Sequence, residues 1–223
     1  TQVSIFNARA DGPSDLPPPQ PRAKRIPRGT DQQEALWAEL VNGDTDILVE
    51  ARAGSGKSSS CREAMWRMLD RSPDLHSRYG VFNKANADEF RDDCPPKVDV
   101  GTLHAFGLFA LKTAFQSRVE KNKTYMLLDE SRTGKSLPRY MRKSVAMLVS
   151  QAKNQMLKPE QDGLEDTLSR LLLIYDINAY GRPGLIVSVA VDLLKRSAEW
   201  CEIVDFDDML WLPPLHQIGF PKC

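Results

Sequence analysis

The stretch ILVEARAGSGKSSSCREAM, residues 47–65, sets an apolar tetrad before a glycine-containing loop, and the loop before a helical pattern. Residues 47–50 predict a short strand, and the spacing that follows predicts a helix from near Lys57 to about Leu69. Between them Gly54, Ser55, Gly56, Lys57 and Ser58 match the end of the G-x-x-x-x-G-K-[ST] pattern, with Ala51 in the place of its first glycine. Such a loop turns consecutive backbone amides toward one point and delivers them to a helix N-terminus, an arrangement suited to anionic phosphates. Ala51, Arg52, Ala53, Gly54, Ser55, Gly56, Lys57, Ser58 and Ser59 are the expected cradle. In it Lys57 neutralises the β- and γ-phosphates of a nucleotide, and the Ser58 hydroxyl ligates Mg²⁺, a hard cation that prefers oxygen.

Working outward, the 223 residues suffice for one good core, or for a core with a small inserted domain, and 41% hydrophobic content is ordinary for a globular chain. Thirty basic residues balance thirty acidic ones, so global charge makes no case for nucleic acid, although a local patch can still attract a phosphate backbone. Cys61, Cys94, Cys201 and Cys223 contain no C-x-x-C pair, which argues against a zinc knuckle or redox dithiol and favours a reducing, cytoplasmic setting. No apolar run reaches the roughly 18 residues of a membrane span, and no signal-peptide core is visible. The chain opens on Thr1 without an initiator methionine, so processing or a partial chain is expected.

Residues 1–28 include DGPSDLPPPQPRAKRIPR, whose prolines favour extended, solvated backbone; a flexible basic tail carrying Arg22, Lys24, Arg25 and Arg28 is expected. From Thr30 the pattern turns helical, with Ala35, Leu36, Trp37, Leu40 and Val41 on one face, Thr30 as cap and Gly43 as terminator. YGVFNKANADEF predicts a strand at 79–82 and then a helix, and KVDVGTLHAFGLFALKTAF a strand near 98–100 and then a helix. Strand followed by helix, three times, predicts a parallel sheet with crossover helices over residues 29–113. Residues 137–157 and 184–200 look helical, with Met141, Val145, Leu148, Val149 and Ala152 on one apolar face, so 114–200 is expected to be an inserted helical subdomain. Residues 201–223 then return to the core.

Four stretches join the phosphate loop in order: TDQQEALW, FNKANADEF, GTLHAFG and VDFDDMLWLP. Together they resemble the N-terminal ATP-binding region of UvrD/Rep-like superfamily 1 DNA helicases, over most of residues 30–212. The resemblance implies an α/β fold, a P-loop NTPase (RecA-like) parallel core with an inserted helical subdomain, binding ATP and Mg²⁺ and acting on single-stranded DNA or a single/double-strand junction. It implies adenine recognition by Gln33 or Gln32, an amide being able both to donate and to accept. It also implies nucleic-acid contacts from Phe82, Asn83, Lys84, Thr102, His104 and Phe106. Leu103 and Ala105 stand where the family often has phenylalanine and serine, which places specific stacking and hydroxyl contacts there in doubt.

Two acidic stretches imitate a catalytic site. YMLLDES, residues 125–131, has the form of a Walker B strand, but the resemblance places it at the start of the inserted domain, so a helical segment with Asp129 and Glu130 at its end is expected. In VDFDDML, Asp205 with Asp207 or Asp208 is expected to cap a helix while Phe206, Met209 and Leu210 pack inward. The family's own D-E-x-Q-D strand would follow the last residues, and its second RecA-like domain, with the arginine finger, would lie beyond. The chain is therefore expected to be a piece of a helicase that binds nucleotide without complete hydrolytic machinery. Three other readings stand beside this one: a helicase–nuclease subunit of recombination complexes, a P-loop small-molecule kinase, and a non-catalytic nucleic-acid-binding module.

Overall fold

The computed structural model describes residues 25–43 and 46–219, together with the backbone of residues 7–8. It shows a mixed α/β protein with small parallel pairings and several helices. The chain divides into two compact units, one reaching to Leu103 and the other beginning at His104.

The first unit holds β1 (Asn7–Ala8), α1 (Asp31–Asn42), α2 (Lys57–Arg71), β2 (His76–Val81), α3 (Lys84–Asp93) and β3 (Val98–Thr102). α1 starts as its capping residues dictate. The Thr30 hydroxyl accepts from the Gln33 amide, the Gln33 side chain accepts from the Thr30 amide, and Gly43 closes the helix. Trp37 is wholly buried and donates its indole N–H to the Ser60 carbonyl at 2.9 Å, which locks α1 onto α2. β2 and β3 run parallel, Ser77 opposite Val98 through Val81 opposite Thr102, with α3 as the crossover. Met65, Tyr79 and Phe90 form the small core beneath them, the two rings stacked at 4.1 Å.

Two expectations are corrected in this unit. Residues 47–50 form no strand: Leu48 is 64% exposed, and no described segment makes a ladder with them. An extended segment becomes a strand only when a neighbour satisfies its amides and carbonyls, and the parallel ladder here ends at β2 and β3. The rhythm is thus strand–helix twice, and β1 adds an antiparallel edge at His76 and Ser77. The second correction concerns the tail. Most of residues 1–28 lies outside the described residues, but Arg25 belongs to the folded unit. Its guanidinium holds the buried Glu63 carboxylate at 3.0 Å and Asp70 at 2.9 Å, and the Ile26 amide also donates to Glu63. A carboxylate with 4% exposure needs such partners.

The second unit holds α4 (Leu103–Phe115), which starts at the boundary, then β4 (Arg118–Val119), α5 (Lys123–Glu130), α6 (Arg132–Lys135), α7 (Arg139–Asn154), α8 (Leu164–Ile174), α9 (Pro183–Glu199), β5 (Ile203–Val204) and α10 (Asp208–Leu215). The apolar face read on α7 is the buried one: Met141, Val145, Leu148, Val149 and Ala152 pack with Leu168, Leu172, Ile186, Ala190 and Leu193 from α8 and α9. α8 was not foreseen from the sequence. The expected insert ran over 114–200; the observed helical unit also takes in α4 and α10, and β4 and β5 pair in parallel as its only ladder among the described residues. Gly107 on α4 lies against α10, where a Cβ would collide with the Met209 carbonyl.

Candidate functional site

The phosphate-loop residues lie on an exposed turn that ends in the N-terminus of α2. Gly54 and Gly56 both adopt positive φ, 77° and 79°, a conformation open to glycine at little cost. Gly56 is the N-cap of α2 and, lacking a side chain, leaves the first helical amides uncapped. Ser60 is the first residue of the helix to bond back along it, its amide donating to the Gly56 carbonyl at 2.8 Å. Ser58, at the second helical position, is exposed, while Lys57 and Ser59 are half-buried. Uncapped amides, a lysine and an exposed hydroxyl in one turn are the donor set that a nucleotide's phosphates and their Mg²⁺ require, so these residues fit that ligand pair.

Lys57 is not extended outward. Its ammonium donates to the Ala51 carbonyl at 3.1 Å and to the Arg52 carbonyl at 2.6 Å, and the Ser55 amide donates to Arg52 at 3.3 Å. The loop is therefore closed on itself through its own lysine, and the ammonium would have to exchange carbonyl oxygens for phosphate oxygens to hold a nucleotide. Gly54 has open space where a Cβ would stand.

Of the two glutamines, Gln33 is the one beside the loop. Its Nε2 donates to Ser60 Oγ at 2.8 Å, and a Cβ on Gly56 would lie 3.6 Å from that same nitrogen. Its Oε1 accepts from the Thr30 amide at 2.9 Å. One end of the amide thus joins α1 to α2 and the other caps α1, so an adenine edge would be read by the second N–H and the second oxygen lone pair. Gln32 has no such link to the loop among the described residues. Sequence reasoning missed Ser60, which takes the Gln33 amide on its hydroxyl and the Trp37 indole on its carbonyl.

The expected nucleic-acid residues fall into two groups. Phe82, Asn83 and Lys84 follow the C-terminus of β2, and Thr102 ends β3; Val81 and Thr102 are paired, so these residues share one edge of the sheet. Phe82 is 87% exposed. Asn83 is occupied as the N-cap of α3, its carboxamide oxygen accepting from the Asn86 amide at 2.8 Å. In the second unit, His104 and Phe106 lie on α4, and the His104 ring stacks on Phe206 at 3.8 Å and 21°. Burial holds the His104 pKa below its ordinary value against the pull of Asp207. Phe206 is a further correction: expected inside, it is exposed and serves as a stacking partner.

Both acidic stretches are engaged in ion pairs within the second unit. YMLLDE is helical, as α5; Asp129 pairs with Arg142 at 2.5 Å and Glu130 with Arg196 at 3.0 Å. In VDFDDML, Asp205 accepts from the Asp208 amide at 2.9 Å at the start of α10, whose N-cap, Asp207, makes no side-chain cap bond. Asp205 and Asp208 also neutralise buried lysines. Asp208 meets Lys123 and Lys153 at 2.8 Å each, and Lys153 also meets Asp205 at 2.8 Å, all of them buried. The signal for this cluster was in the sequence: Lys153 follows Val149 by one helical turn on the buried face of α7, where an ammonium needs a carboxylate. Among the described residues no His, Cys, Asp and Glu group has the arrangement of a metal site. Nor is any helix among them long and apolar enough to cross a membrane.

No protein-family model, curated protein or solved structure matches the chain.

Proposed function

We propose that this chain is the ATP-binding portion of an ATP-dependent DNA helicase or translocase that acts on single-stranded DNA, built on a RecA-like core. What carries the reading is the turn with positive φ at Gly54 and Gly56 that leads directly into the uncapped N-terminus of α2 at Lys57 and Ser58. The ordered stretches that share the β2–β3 edge and the start of α4 support it. Lys57 and the loop amides would hold the phosphates, and Ser58 would supply an oxygen to Mg²⁺; bound ATP supplies the phosphoryl group whose transfer drives movement. Gln33 is the candidate for the adenine edge. Phe82 and Lys84, exposed at the strand ends, are the candidates for a base face and a phosphate.

Asp129, Glu130, Asp205 and Asp208 are held by Arg142, Arg196, Lys123 and Lys153. The reading therefore assigns nucleotide binding to this chain and leaves the positioning of the attacking water to residues beyond these pairs. The test is equilibrium binding of a fluorescent, non-hydrolysable ATP analogue with Mg²⁺. Saturable binding that Lys57→Ala removes supports the proposal, whereas equal binding by the two proteins overturns it. A shift of ATP turnover with single-stranded DNA, as opposed to a small acceptor, separates the helicase from a small-molecule kinase.

A further inference from the structure

We infer that the helical unit carries its own contact for single-stranded nucleic acid, an aromatic step made by Tyr140 and Tyr180 and flanked by cations that have no carboxylate partner among the described residues. The inference rests on the single-strand reading above but not on the nucleotide loop. Tyr140 opens α7, and Tyr180 sits on the connection between α8 and α9; their rings lie 4.6 Å apart at 60°, with 52% and 46% of each residue exposed. Both residues stand at the surface, each about half open to solvent.

The connection is held so as to present it. The Ser144 hydroxyl donates to the Asn178 carbonyl at 2.7 Å, the Tyr180 amide donates to Asn178 Oδ1 at 2.8 Å, and Ile177 is anchored in the core. Tyr180 itself adopts φ +50°, followed by Gly181 at +71°. A bulky residue in the left-handed region is strained, and the surrounding bonds are what keep it there.

The charge around the pair has one sign on the α7 side. From residue 132 to 143 the chain has Arg132, Lys135, Arg139, Arg142 and Lys143 and no acidic residue. Arg142 is taken by Asp129, but among the described residues Arg139 and Lys143 have no carboxylate partner. These two lie one helical turn apart, and Lys143 follows Tyr140 by three positions, a spacing that brings helix side chains together. Arg182, exposed and without a carboxylate partner among the described residues, follows Tyr180 at the start of α9, and Asp176 is the single acid of that connection. Exposed rings with cations around them suit a chain that offers flat unstacked bases and regularly spaced phosphates, which a single strand does and a duplex, with its bases stacked inside, does not.

The test is a fluorescence-anisotropy titration of the full chain with labelled oligothymidylate of about 20 nucleotides, longer than a typical site of roughly 4–16 nucleotides. Tyr140→Ala with Tyr180→Ala should weaken binding by about tenfold or more, and Tyr140→Phe with Tyr180→Phe should restore it, because the ring faces remain. Arg139→Ala, Lys143→Ala and Arg182→Ala together should lower the slope of log affinity against log salt by about 2. All these side chains are exposed, so thermal melting checks that each variant remains folded. If the parent binds and the alanine pair binds equally well, the aromatic step is overturned while the single-strand reading stands; loss on Phe82→Ala with Lys84→Ala would then place the strand at the sheet edge. If the parent binds no oligothymidylate, the single-strand reading fails and this contact with it.

Discussion

Lys123 reaches across 85 positions of the chain to place its ammonium 2.8 Å from Asp208 Oδ2, with both side chains wholly buried. The Ser197 carbonyl takes a further bond at 2.9 Å, and Lys153 approaches Asp208 from the other side. Burial pulls the Lys123 pKa down, Asp208 opposes this, and the neighbouring Lys153 adds to the fall. For Lys153 burial acts in the same sense, but the carboxylates of Asp208 and Asp205 outweigh it and hold the group charged. The cluster ties α5, α7, α9 and the start of α10 to one point.

Removing one member leaves an uncompensated buried charge. Lys153→Met or Asp208→Leu should each destabilise the protein by about 3–5 kcal/mol, read as a fall in the urea midpoint at unchanged slope. A loss of only a few tenths of a kcal/mol would mean that water reaches the cluster.

Acid should weaken the first unit through Glu63. Burial alone would raise its pKa, but hydrogen bonds from Arg25, the Ile26 amide and Arg67 outweigh it and hold the pKa below the ordinary 4.5. The stabilisation is thus complete above about pH 4.5 and is lost as the pH falls through the lower folded value. Asp205 acts in the same direction below its ordinary 3.8, Lys153 outweighing the cost of burial. Stability curves from pH 7 to pH 2 should show this acid limb, and Glu63→Gln should flatten its upper part.

Gly107 should tolerate no side chain. A Cβ there meets the backbone carbonyl of Met209, which cannot rotate away as a flexible side chain would. Gly107→Ala should therefore cost about 1–3 kcal/mol or more, measured by thermal or urea unfolding, whereas Gly184→Ala, with open space around it, should leave packing undisturbed.

Lys57→Ala should separate binding from stability. The lysine's ammonium donates to the Ala51 and Arg52 carbonyls of an exposed loop. Its loss should change the unfolding free energy by no more than about 0.5 kcal/mol while removing the nucleotide analogue's affinity. A large stability change would make the lysine a strut of the loop rather than a ligand for phosphate.

Much of this protein was legible along the chain because the interactions concerned are local. Thr30 and Gly43 bound α1, Gly56 precedes α2, and the spacing from Met141 to Ala152 marks the face that α7 buries; each depends on neighbours within a turn or two of helix. Residues 47–50 show where that legibility stops. Their composition is that of a strand, but strand formation depends on a ladder partner brought from elsewhere, and no described segment supplies one.

The same distinction divides the site. The sequence by itself determined the loop with its glycines, lysine and serine, since glycine admits the positive φ at Gly54 and Gly56 at little cost and, as N-cap, offers no side chain to the first helix amides. Tertiary structure decided which glutamine lies beside that loop, through Ser60 on another helix, and that Phe206 stacks on His104 instead of entering the core. It also decided that Asp205 and Asp208 neutralise two buried lysines from 52 and 85 positions away. Local order constrains backbone conformation, whereas burial and charge pairing depend on which distant surfaces exclude water together.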